Sequence, residues 1–185
     1  MRPAEAANSR CAQTDRLVLR RWTPEDREPF ARMNCDPAVM EFLPAPLTRA
    51  ESDALSDRIE THFAQHGFGL WAAELRSSST FIGYIGLSIP RFEAAFTPCV
   101  EIGWRLSPDY WGKGLATEGA RAVVRHAFEV LHLPELVSFT VPANLRSRRV
   151  MEKVGMTHNP RDDFDHPLLS QSHPLRRHVL YRLVR

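Results

Sequence analysis

The chain has 185 residues, of which 43% are hydrophobic, enough for one sizeable core and the usual span of one domain. Its 24 basic and 22 acidic residues leave a formal charge of +2, far from the one-signed field of nucleic-acid binders, so charge names no macromolecular partner. Three widely spaced cysteines, Cys11, Cys35 and Cys99, argue against a disulfide framework or a CxxC site and suit a reducing cytoplasm; Cys99 reads as core. The opening residues lack a signal-peptide run, and no stretch approaches the ~20 apolar residues of a membrane span. Residues 1–13 read as a flexible tail and 14–185 as one domain.

Leu17 and Leu19 alternate with polar neighbours and predict a half-buried first strand. Thr23, Pro24 and Asp26 have the spacing of a capped helix start, and Asp36 with Pro37 repeats it before Pro44 and Pro46 stop that short helix. Thr48 and Glu51 form a second capping box, followed by an apolar face of Leu55, Ile59, His62 and Phe63, with Gly67 as the C-terminal glycine. The period then changes. "FGLWAAEL" and "TFIGYIGLSI" flank the polar turn "RSSS" as a hairpin, and a loop through Pro90 and Pro98 leads to the strand "CVEIGWRL". After a glycine loop, Ala120, Val123, Val124, Ala127, Phe128 and Leu131 form a helical stripe, with Glu118, Arg121, Arg125 and Glu129 elsewhere on the helix. "LVSFTV", a short helix ending at Gly155, and the strand "HVLYRLV" complete a mixed α/β order with a largely antiparallel sheet covered by helices.

The loop "YWGKGLATEG" carries the strongest signal. A Walker A loop places glycine where Ser107 stands and Ser or Thr where Gly114 stands, and a Rossmann fingerprint wants its third glycine at Thr117. Neither fits. A glycine turn joining strand to helix is the plain reading; the alternative is an anion site, because unpaired amides and the positive end of the helix dipole meet there.

Trp111-Gly112-Lys113-Gly114-Leu115-Ala116 resembles the Gln/Arg-x-x-Gly-x-Gly/Ala motif of the GNAT N-acetyltransferases, with Trp111 departing from the first residue as in the RimJ/RimL-like branch. The likeness runs from about Asp15 to Val184, and "VPANLRSRRVMEKVGM" is similar to the segment where that branch carries Asn, Ser and Gly at the spacing of Asn144, Ser147 and Gly155. The resemblance implies a GNAT acyltransferase fold, with a mixed, mostly antiparallel sheet of about six or seven strands splayed between the fourth and fifth. It implies acetyl-CoA as cosubstrate, no metal, and direct transfer of an acetyl group to a primary amine.

On that resemblance the coenzyme falls to Trp104, Leu106, Trp111, Gly112, Lys113, Gly114, Leu115, Ala116, Thr117, Asn144, Ser147 and Arg149, and the acceptor to Met40, Phe42 and Leu43. Glu101 becomes the candidate base, or else a partner of Arg105. Ser147 becomes the candidate acid near the thiolate, since position 151 is Met where many relatives carry Tyr; it is otherwise a hydroxyl near a helix start. Asn144 suits the pantetheine amides or an N-cap, and Arg146, Arg148 and Arg149 suit phosphates or a solvated face. His158, His166, His173 and His178 lack metal-ligand spacing and read as loop or substrate-rim residues. The acceptor is an amine of a small molecule or a protein N-terminus, with no nucleic acid and no membrane; family habit allows a homodimer. A non-catalytic acyl-CoA sensor and a transferase of longer acyl groups are the rivals.

Overall fold

The computed structural model describes residues 10–185, with the side chains of Arg10 and Cys11 left aside. Arg10–Gln13 form β1, paired antiparallel with β2 (Leu17–Arg20), so the end of the expected tail is a strand. The rest of that tail lies outside the described residues. β1 was not legible as a strand because what holds it is pairing across the turn at Thr14, whose N–H donates to the Leu17 carbonyl at 2.8 Å.

The next segment follows its capping signals. The Asp26 carboxylate accepts the Thr23 N–H at 2.8 Å, but Pro24–Asp26 make a 3-10 turn and the α-helix proper, α1, spans Arg27–Cys35. Asp26 is almost wholly buried and takes two hydrogen bonds from Arg20, at 2.6 and 2.8 Å, while Arg20 Nε reaches Glu74 at 2.7 Å. Asp36 caps α2 (Pro37–Met40) by accepting the Ala38 N–H at 2.8 Å. Thr48 caps α3 (Arg49–His66), and Gly67 ends it in the left-handed region at φ 74°.

β3 (Leu70–Leu75) and β4 (Thr80–Ser88) make the expected hairpin, and β5 (Glu101–Leu106) pairs antiparallel with β4. After the glycine loop comes α4 (Leu115–Arg125), then β6 (Glu135–Thr140), α5 (Leu145–Lys153), the two-residue strands β7 (Thr157–His158) and β8 (Phe164–Asp165), and β9 (Arg177–Val184). The sheet order is β1-β2-β3-β4-β5-β6-β9-β7, with β8 on β9. Nine strands among the described residues exceed the expected number because β1 and the two shortest are held by partners, not by any period of their own.

Every neighbouring pair is antiparallel except β5 and β6. These run parallel and touch at one place, Glu101 opposite Val137, where the Val137 N–H donates to the Val100 carbonyl at 2.9 Å. Beyond it the two strands part, as expected of a splayed sheet. The parting strands leave a wedge through the sheet.

Helices cover both faces. Tyr84, opposite Arg105 in the β4–β5 register, meets Phe30 of α1 edge-on at 6.1 Å, which puts α1 on the Arg105 face. α4 lies on the other face, where Ile85 pairs with Trp104. Its approach is close: a Cβ at Gly119 would sit 2.3 Å from Ile85 Cδ1 and 3.3 Å from Leu17 Cδ1. Gly119→Val requires the buried Ile85 side chain or the helix to shift, and a loss of about 1–3 kcal/mol is expected. Chemical denaturation should show it as a lowered midpoint at unchanged slope.

Candidate active site

Trp111 opens the loop that crosses the mouth of the wedge, and its indole N–H donates to the Leu106 carbonyl at 2.7 Å, folding the loop back onto β5. Gly112 and Gly114 then take φ of 71° and 78°, a left-handed conformation that favours glycine. The first hydrogen bond of α4 runs from the Glu118 N–H to the Gly114 carbonyl at 3.0 Å, and no side chain caps the helix. Three amides, those of Leu115, Ala116 and Thr117, are therefore left without acceptors among the described residues, at the positive end of the helix dipole. A Cβ at Gly112 would meet nothing within 4 Å. The loop is a bare cradle for an anion.

The cradle opens on a cavity of about 520 Å³ inside the wedge, a size suited to a small-molecule ligand. Of the residues that the sequence assigned to coenzyme and chemistry, the cavity wall includes Glu101, Trp104, Leu106, Trp111, Gly112, Gly114, Leu115, Ala116, Thr117, Asn144, Ser147 and Arg149. Phe42 and Leu43 line its other side. Two of the assigned residues, Met40 and Lys113, lie outside that wall. Met40, the last residue of α2, is 5% exposed and turned into the protein, away from the cavity. Lys113 is exposed, its ammonium 5.5 Å from the centre of the Tyr110 ring, and its carbonyl accepts a hydrogen bond from Arg16 at 2.9 Å.

Glu101 stands at the vertex of the wedge. The Ser88 hydroxyl donates to its Oε2 at 3.3 Å, and no ion pair with Arg105 forms. Burial pushes the carboxyl up to about 7, with the Ser88 hydrogen bond pulling the other way. Cys99, expected in the core, is half-buried just before β5; burial, then the nearby Glu101, push its thiol up to about 11.

Asn144 acts as the N-cap of α5: its Oδ1 accepts the Ser147 N–H at 3.1 Å and its Nδ2 donates to Thr140 Oγ1 at 3.1 Å. That arrangement fixes the start of the helix and points Ser147 into the cavity, where its hydroxyl has no hydrogen bond among the described residues. The three arginines that follow divide their work. Arg146 pairs with Glu41 at 2.8 Å and stacks 4.3 Å from the Trp111 ring, Arg148 donates to Tyr181 Oη at 3.2 Å and the Pro142 carbonyl at 3.1 Å, and Arg149 lies exposed on the cavity wall.

The histidines do not gather as a ligand set. His158 bonds Asp163 at 2.7 Å and stacks on Tyr181 at 5.1 Å, while His166 and His178 join Phe92, Phe139 and Phe164 in an aromatic cluster. Among the described residues no three His, Cys, Asp or Glu side chains come together as a metal site.

What the sequence did not reveal is the brace behind the cradle. Glu118, assigned only to the far side of its helix, accepts the Thr14 hydroxyl at 2.6 Å, the Arg16 N–H at 2.9 Å and Arg16 Nε at 2.7 Å. Arg16 Nη1 donates in turn to the Lys113 carbonyl at 2.9 Å. The turn between β1 and β2 thus holds the glycine loop and the first turn of α4 in one piece. A pair 102 residues apart leaves no local pattern to read.

A split sheet whose gap receives an uncapped, glycine-fronted helix defines a protein that offers free backbone amides to an anionic group at the edge of a cavity. Comparison with known proteins agrees: residues 16–157 match the family described as Acetyltransferase (GNAT) domain. The chain belongs to the GNAT acetyltransferase family. It is 35% identical over 152 residues to FsC-acetyl coenzyme A-N(2)-transacetylase of Aspergillus fumigatus, a match covering 78% of this chain and 64% of that protein. An acetyltransferase of Agrobacterium tumefaciens superposes with a TM-score of 0.75 at 28% identity over 94% of both chains. The RimJ of Mycobacterium smegmatis, solved with CoA-disulfide, shares the fold at a TM-score of 0.71 and 18% identity, over 91% of this chain and 81% of that one.

Glu118→Ala should loosen the cradle without emptying the core. Calorimetry is expected to show coenzyme A binding weakened several-fold, about 1 kcal/mol, with the far-ultraviolet spectrum unchanged.

Proposed function

We propose that this chain is an acetyl-CoA-dependent N-acetyltransferase of the RimJ/RimL-like branch, passing an acetyl group directly to a primary amine. One observation carries the reading: the uncapped mouth of α4 and the raised Glu101 carboxyl open into the same cavity. The fold of the RimJ neighbour and the name of the fungal relative support it. The three free amides suit the pyrophosphate, and exposed Arg149 lies within the same wall for a further phosphate. When bound, acetyl-CoA supplies a thioester carbonyl for a neutral amine to attack.

The protein's share of the chemistry is proton handling. Glu101 takes up the proton that the acceptor ammonium must lose, and a carboxyl near 7 exchanges it readily at neutral pH. Ser147, held at the start of α5 by the Asn144 cap, passes its proton to the departing thiolate and regains one from the amine nitrogen, which loses its second proton as the amide forms. Phe42 and Leu43 give the acceptor side an apolar lining.

The base must be ionised to work, and a carboxyl raised to about 7 is protonated below that pH, so activity is expected to fall about tenfold per unit on its acid side. Glu101→Gln should lose about 100-fold or more in kcat and abolish that limb, measured as thiol release with an amine panel across pH. A wild-type profile that Gln leaves intact would remove Glu101 from the role. Ser147→Ala should lower kcat about 10- to 100-fold with the KM for acetyl-CoA little changed; a loss confined to KM would make the serine a coenzyme contact only. Coenzyme binding without thiol release for any amine would sink the transfer reading.

A further inference from the structure

Glu101, Gly103 and Arg105 alternate along β5, so they share one face of it, the face that α1 covers through Tyr84. Gly103 offers no side chain, and nothing lies within 4 Å of the place where its Cβ would stand. On the cavity wall a carboxyl, a bare floor and a guanidinium therefore follow one another along a single strand.

Arg105 is half-buried and held from behind. Its Nη1 donates to Asn34 Oδ1 at 2.7 Å, and Asn34, with no exposed surface, donates to Ser52 Oγ at 2.9 Å. The Tyr84 ring lies 5.4 Å from the guanidinium carbon. These partners are neutral. No carboxylate among the described residues comes within ion-pair distance of Arg105, whereas Arg146 on the same cavity is paired with Glu41. A guanidinium that is partly desolvated, fixed by a neutral network and lacking a counter-charge gains from an anion that docks against its free N–H groups.

We infer that the acceptor is an amine that also bears a carboxylate, that Arg105 receives this carboxylate, and that the amine is thereby laid along Gly103 toward Glu101. The inference rests on the transfer reading above. Spacing narrows it further. Four residues of strand rise about 13 Å, so even with both side chains reaching inward the two charges of the acceptor stand several bonds apart. An ω-amino carboxylate, or an extended molecule with its amine and acid at opposite ends, fits this better than an α-amino acid. Polyamines, which present only cations, are disfavoured.

The test compares ω-amino carboxylates of increasing chain length with chain-matched alkylamines, as acetyl acceptors and as ligands of the coenzyme-A-saturated protein. Wild type should prefer the acids by about tenfold or more in kcat/KM, through KM, with an optimum at intermediate length. Arg105→Gln should abolish the preference and Arg105→Lys keep part of it, the KM for acetyl-CoA unchanged in both. In parallel, the Nε–Hε resonance of Arg105, assigned by its loss in Arg105→Gln or Arg105→Lys, should move with the acids and stay still with the alkylamines. Acids no better than alkylamines in wild type, a preference that survives Arg105→Gln, or a resonance indifferent to the acids would each overturn the inference. If wild type releases thiol with no amine at all, the transfer reading fails, and the resonance still decides whether Arg105 receives a carboxylate.

Discussion

A single meeting point, Glu101 against Val137, decides the shape of the molecule. Parallel strands joined by a helical crossover normally pair along their length, yet here the ladder ends where it begins. Past the meeting point the backbone of β5 from Gly103 onward has no strand beside it on that edge among the described residues. The unpaired edge is a cost elsewhere in a protein, but here it is what opens a cavity through the middle of the sheet. The cavity wall runs from the mouth of α4 to Phe42 and Leu43, just beyond the end of α2.

Around this gap the packing is unforgiving. Gly119 lets α4 lie against Ile85 and Leu17, which sets the depth at which its amides reach the cavity. Glu118, one residue earlier, fixes the rotation of the same turn through Thr14 and Arg16. Two adjacent positions on one helix thus set its distance and its orientation, and the glycine loop inherits both.

Elements whose signals are local were legible in the sequence. The Thr48–Glu51 box, the Gly67 stop, the β3–β4 hairpin and the stripe of α4 all depend on residues within a few positions of one another. The coenzyme-side residues came from a family resemblance, and the cavity gathers nearly all of them on one wall. What escaped detection depends on distance along the chain. β1 exists through its partner strand, Arg16 meets Glu118 across 102 residues, and Arg105 meets Asn34 across 71. Met40 and Phe42 look alike in sequence, and only the end of α2 decides that one turns inward while the other lines the cavity. Cys99 reads as core by residue type, but it precedes β5 at the place where the sheet begins to open.

The stack of Arg146 on Trp111, with its bond to Glu41, joins the start of α5 to the end of α2 over the mouth of the cavity. Both charged side chains are more than half exposed, so the tie is worth about 1 kcal/mol or less. A clasp that weak costs little to open, so it ties the two helix ends together without locking them.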